Sequence, residues 1–131
     1  QLAAFNRNNF LLGHSAMLIN EGLPLYLVSR LEARFDLANS TVGILGMAFK
    51  GGSDDPRESL AYKLRKILLL KAKSVLCTDP LVRDDRLVPL DRVLAEADLL
   101  VIAAPHAEYA DLATDRPIID MWGLTRRGVL V

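Results

Sequence analysis

Cysteine occurs once in this chain, at Cys77, and histidine twice. One cysteine excludes an internal disulfide and suits a reducing compartment, so a cytoplasmic location is expected. Cys77 lies in an apolar strand with no histidine or cation beside it in sequence, which reads as a buried structural thiol and not a nucleophile. His14 and His106 stand alone, without partners at metal-ligand spacing, so no metal is expected. No apolar run approaches the roughly 18 residues that cross a bilayer, and no membrane partner is expected. Lys+Arg and Asp+Glu both total 16, so no excess of either sign points to nucleic acid or an anionic surface. The Gly-x-Gly-x-x-Gly triplet that cradles a dinucleotide is missing, and with it the expectation of a self-contained NAD site. Internal repeats, low-complexity segments and a signal-peptide pattern are missing as well. The chain starts at Gln1, and it reads as a piece of something longer.

What is present suits a globular core: 131 residues, 51% hydrophobic and 24% charged, enough for one domain with an added helix. Residues 1–39 are assigned to a long helix and its linker, and 40–131 to the domain proper. From Leu11 to Phe35, the apolar residues Leu12, Ala16, Ile19, Leu23, Leu27, Leu31 and Phe35 recur every three or four positions. That is one face of a helix. Pro24 removes an internal hydrogen bond and is expected to kink it. Leu11, Leu18, Leu25 and Val28 widen the apolar surface beyond what a small domain is expected to cover. The excess predicts packing on another chain or domain, with a core helix of this same domain as the alternative.

After Ser40 the pattern alternates between strands and helices. Strands are expected at Thr41–Leu45, Ser74–Thr78, Asp98–Ala104 and Pro117–Met121, and helices at Asp55–Leu70, Leu90–Ala97 and His106–Leu112. The strands are continuous apolar runs, which implies burial on both faces and hence a parallel sheet between helices. The fold class is α/β, a Rossmann-like sheet preceded by a long helix, with ligands at the carboxyl ends of the strands.

The most informative stretch is 43–59. It holds four glycines: a short strand with Gly43 runs into a loop with Gly46, Gly51, Gly52, Lys50 and Arg57, and the loop opens an amphipathic helix. Glycines let the backbone approach a ligand, and a helix start favours anions, so the loop suits a phosphate. Asp55, Pro56 and Glu58 have the spacing of a capping box, with Asp55 as N-cap. Arg57 would then oppose the helix dipole, which is better rationalised by an anionic partner than by helix stability; a solvated surface arginine is the alternative. Phe49 reads either as a core aromatic at the strand end or as a ligand contact, and Lys50 either as an exposed lysine or as a phosphate ligand. Asp79 follows a strand as a ribose-binding acid would, yet Pro80 suggests a turn, so a loop-organising role ranks first. His106, at a strand end after Pro105, is on the ligand-facing edge, yet a helix-start role ranks first.

Gly43, Gly46, Ala48, Phe49, Lys50, Ser53, Asp55, Arg57 and Ser59, in this order, resemble the start of the C-terminal domain of the UDP-glucose/GDP-mannose 6-dehydrogenases. Asp79-Pro80, Ile19-Asn20 and Pro24 extend the resemblance. It implies a substrate site at Phe49 and Lys50 for a nucleotide sugar, and an NAD contact at Arg57. It also implies a homodimer through residues 11–35. NAD itself and the catalytic cysteine would belong mainly to an N-terminal domain, so this piece alone is expected to be inactive. Many members carry an arginine or asparagine just after the aspartate that matches Asp120. Trp122 stands near that place here, a departure that bears on which sugar is recognised. A stand-alone nucleotide-binding or receiver-like module, or a dimerisation piece, is the alternative. Asp54-Asp55 lacks the aspartate–lysine placement a receiver needs.

Overall fold

The computed structural model describes residues 22–57, 59–120 and 122–125. Four apolar segments form strands: β1 (Thr41–Leu45), β2 (Ser74–Thr78), β3 (Leu99–Ile102) and β4 (Ile118–Asp120). All three pairings are parallel, in the spatial order β2-β1-β3-β4. The first two strands have the expected bounds, and the last two are a few residues shorter. Parallel neighbours need crossovers, and helices α2 (Leu60–Lys71) and α3 (Leu90–Glu96) supply two of them.

Because side chains alternate across a strand, each strand feeds two cores. Val42, Ile44, Leu99, Val101 and Ile119 face a helix over 22–34, called α1, together with α2. Leu45, Leu100, Ile102 and Ile118 face α3 and Tyr109 of a 3-10 turn at Ala107–Ala110. Gly43 lies under α3. A Cβ there would sit 2.5 Å from Val93 Cγ1 and 2.8 Å from Leu100 Cδ2, so the missing side chain sets how closely helix and sheet approach. The result is the expected three-layer α/β arrangement.

Two expectations need correction. The second helix starts at Leu60 and not at Asp55, and its N-cap is Ser59, whose hydroxyl accepts from the Ala61 N–H at 3.1 Å. An N-cap residue at 55 would offer its carbonyl to the first helical turn. The Asp55 carbonyl instead accepts from the Phe49 N–H at 2.6 Å, and its carboxylate holds the Arg57 N–H at 2.9 Å. Arg57 therefore precedes the helix, and the argument that it opposes the dipole lapses. Glu58, the third member of the supposed box, lies outside the described residues.

The second correction concerns α1. Leu27, Val28 and Leu31 are at most 2% exposed and belong to the domain's own core, as does Leu37. A face four strands wide is more than the 12-residue α2 covers, and α1 fills the remainder. Leu25 (64%) and Tyr26 (55%) stay exposed, and they are the large apolar side chains that this part of the helix leaves for a partner. The periodic positions before residue 22, from Leu11 to Ile19, lie outside the described residues, as do Asn20 and His14, and the kink expected at Pro24 turns on them.

Candidate functional site

The strand order fixes where a ligand would sit. The chain leaves β1 for β2 on one side, then crosses back past β1 to β3 and β4 on the other. Connections diverge between β1 and β3, and in open α/β sheets ligands bind outside the carboxyl ends of strands at such a point. The loops that meet there are 46–59 after β1, 79–88 after β2 and 103–106 after β3.

Gly46 turns the chain out of β1 at φ +94°, where a side chain is strained, and a Cβ would come within 2.6 Å of the Ala104 carbonyl oxygen. Gly51 lies against the Pro105 carbonyl, which leaves no room for a Cβ. The two glycines thus let the β1 and β3 loops touch. Ser59 ties the loop to the helix behind it, since its hydroxyl also donates to the Ala48 carbonyl at 3.3 Å.

Asp79 holds this corner together. Its Oδ2 accepts from the N–H groups of Met47 (2.7 Å) and Ala48 (3.1 Å) in the β1 loop, and its Oδ1 from Leu81 (2.7 Å) and Val82 (2.8 Å) in its own turn. His106 Nε2 lies 2.9 Å from Oδ2, and both side chains are buried, at 1% and 0% exposed. Burial works against the charge, yet the backbone donors of Val82, Leu81 and Met47 and the His106 ring hold the carboxyl below its usual range. With both oxygens engaged, Asp79 is the loop-organising acid and not a ribose ligand. The other cradle glycines are equally committed, Gly43 to α3 and Gly46 to Ala104. The described residues therefore do not fit a dinucleotide site of their own.

Phe49 and Lys50 project from the loop, both exposed, with Phe49 at 57%. That rules out Phe49 as a core aromatic. Lys50 borders an open hollow of about 630 Å³ with Gly52, Ser53, Asp54, Pro80, Leu81 and Arg83. Among the described residues neither Lys50 nor Arg83 is in a salt bridge. No sequence pattern singles out Arg83; it reaches the site because parallel pairing of β1 and β2 sets their carboxyl ends side by side. Arg57 does not line this hollow. It is 86% exposed and grips Asp55 through Nε (3.0 and 3.2 Å) and Nη2 (2.9 Å).

At β4, the buried Asp120 carboxylate caps the following turn, accepting from Trp122 N–H (3.0 Å) and Thr125 N–H (2.6 Å). The Trp122 indole donates to the Ile102 carbonyl at 3.0 Å, and its ring closes a small apolar cleft of about 30 Å³ between Leu23, Leu27, Leu60 and Val101. Cys77 is 2% exposed and its thiol is pushed up to about 11 by burial, so it is not a nucleophile. No described group of three or more histidine, cysteine or acidic side chains is placed to hold a metal, and no described helix is long and apolar enough to cross a membrane.

Residues 43–127 match the UDP-binding domain of the UDP-glucose/GDP-mannose dehydrogenase family. The chain belongs to this family. The UDP-N-acetyl-D-mannosamine dehydrogenase of Pyrococcus horikoshii is 35% identical over 108 residues, 79% of this chain and 26% of that protein. The UDP-glucose 6-dehydrogenase of Haloferax volcanii is 33% identical over 121 residues, 81% of this chain and 28% of its own. Among solved structures, the UDP-glucose dehydrogenase of Pyrobaculum islandicum superposes with a TM-score of 0.74 at 27% identity, covering 97% of this chain and 34% of that one. The chain spans between 26% and 34% of these relatives. Membership gives the 43–59 motif its context. In the structure, Ser53, Asp55 and Ser59 of the motif are loop scaffolding, and Phe49, Lys50 and Arg57 are its exposed members.

Proposed function

We propose that this chain is the nucleotide-sugar-binding part of an NAD-dependent dehydrogenase that oxidises the primary alcohol of a nucleotide hexose to a uronate. The observation that carries the reading is Lys50, an exposed cation in no salt bridge among the described residues, at the carboxyl edge of a sheet whose sequence matches a UDP-binding domain. A diphosphate in the hollow would meet Lys50, with Arg83 also lining it, and Phe49 offers an exposed ring to the sugar or base. NAD would accept the hydride and would be held mainly by another domain, with Arg57 as this chain's contact; its 86% exposure and its place outside the lining of the Lys50 hollow support a separate ligand. The nucleophile would also lie elsewhere, since Cys77 is buried in β2. The chain by itself, given NAD and a UDP-sugar, is expected to produce no NADH absorbance, and sustained turnover would refute this division of labour. Residues 1–39 serve as the dimerisation region, with the homodimer formed through the helix over 11–35 whose later part also packs in the core of the domain, and 40–131 as the binding domain of a cytoplasmic enzyme.

Lys50 and Arg57 separate the two ligands. In the complete dehydrogenase, Lys50→Ala is expected to weaken nucleotide-sugar use by roughly ten- to a hundredfold, the loss of one charge-assisted phosphate contact. Arg57→Ala is expected to weaken mainly NAD use. Each is expected to change stability by within about ±0.5 kcal/mol, because both side chains are exposed. Steady-state kinetics measured beside a melting curve decide. Unaltered kinetics in both variants would remove these residues from the site.

A further inference from the structure

One wall of the hollow beside Lys50 is the loop over 46–52, which carries three glycines and lies in neither a strand nor a helix. What fixes it is a buried strut. His106, 1% exposed on the β3 loop, points Nε2 at Asp79 Oδ2 (2.9 Å), and its Nδ1 accepts from the Gly52 N–H at 3.0 Å. An ionised Asp79 only accepts, so Nε2 must carry the proton; a donor at Gly52 requires Nδ1 to be bare. The hydrogen-bond network thus assigns His106 the neutral Nε2–H tautomer. The ring is also held edge-on by Tyr109 at 5.7 Å between centroids, with an interplanar angle of 78°. Asp79 and Tyr109 are the titratable groups against this ring, and Gly52 meets it through backbone alone.

We infer that His106 is a positioning residue: it clamps the tip of the loop at Gly52 while Asp79 clamps its base at Met47 and Ala48, so that Lys50, between the two clamps, is presented to the ligand in one place. For the identity of the ligand this rests on the function proposed above; the clamp itself does not. A histidine that merely filled space would need neither nitrogen in a specific state. Here both nitrogens are spent on loops other than its own.

The test compares His106→Phe, which keeps bulk and loses both bonds, with His106→Asn, whose side-chain oxygen can stand where Nδ1 accepts from Gly52. Amide hydrogen exchange at Gly52 and UDP affinity by calorimetry are measured on each, with melting curves alongside. In His106→Phe, Gly52 exchange is expected to rise and UDP affinity to fall, each by roughly tenfold, the loss of one neutral hydrogen bond. His106→Asn is expected to restore both toward wild type even if it melts as early as His106→Phe. Wild-type exchange at Gly52 in His106→Phe, or His106→Asn exchanging as fast as His106→Phe, overturns the clamp. If His106→Phe does not fold, His106→Asn against wild type carries the test, and rapid Gly52 exchange in it overturns the proposal. Failure of wild type to bind UDP overturns the ligand, and exchange at Gly52 then decides the clamp alone.

Discussion

Asp79→Ala is expected to melt far below wild type, because one carboxylate serves four backbone N–H groups and the His106 ring. Removing it strands several part-buried donors together, a cost of about 3–5 kcal/mol. For a chain of this size that corresponds to a fall in melting temperature of roughly 12–30 °C. Asp79→Asn keeps one oxygen but turns an NH₂ toward donors, so an intermediate loss is expected. Acid should reveal the same residue. Its folded pKa lies below the ordinary 3.8, so its contribution is complete above that value and is lost as pH falls through the lowered one. Asp120, whose pKa is also lowered, acts in the same window. Melting curves recorded from pH 6 down should therefore show wild type losing stability below about pH 4, with Asp79→Asn less steep there. Equal slopes would mean that the Asp79 network contributes little to the folded state.

Leu27→Asp is the second large effect, and it separates two readings of α1. Leu27 is 2% exposed among Leu31, Leu64 and Val101, and an unpaired carboxylate there has no partner. A loss of roughly 4 kcal/mol or more is expected, which amounts to unfolding for a marginal domain. Leu25→Asp, on the exposed side, is expected to leave the melting curve of the monomer nearly unchanged. If α1 also forms the homodimer, Leu25→Asp lowers the sedimenting mass while Leu27→Asp gives unfolded protein. A folded, monomeric Leu27→Asp would return that side chain to a subunit interface.

The strands were the most legible part of the sequence. Val-Gly-Ile-Leu, Val-Leu-Cys and Leu-Leu-Val-Ile are short apolar runs between helical segments, and burial on both faces leaves little choice but a parallel sheet. Helix starts were less legible. Asp55-Pro56-Arg57-Glu58 has the local spacing of a capping box, but the Asp55 carbonyl is taken by Phe49 in the same loop. A bond between residues six apart in a glycine loop leaves no periodic trace. The α1 pattern gave the apolar face correctly but not that Leu27, Val28 and Leu31 on it pack in this domain's own core, because helical periodicity cannot say whether the covering surface belongs to the same chain. At the site, the glycine loop and Lys50 were readable from residue type and the family motif. His106 was placed at the ligand-facing edge but not as a partner of the glycine loop, and Arg83 was not singled out, since only strand order brings loops 54 and 33 residues away against Gly52 and Lys50.

Amide chemical shifts of the isotopically labelled chain, titrated with UDP, test most directly whether this edge of the sheet binds the nucleotide. The account predicts saturable shifts centred on Lys50, Gly51, Gly52 and Ser53 and on Leu81 to Arg83, weakened roughly tenfold or more in Lys50→Ala. No saturable shift, or shifts centred at the opposite edge around Ser74, Asp98 and Arg116, would contradict it.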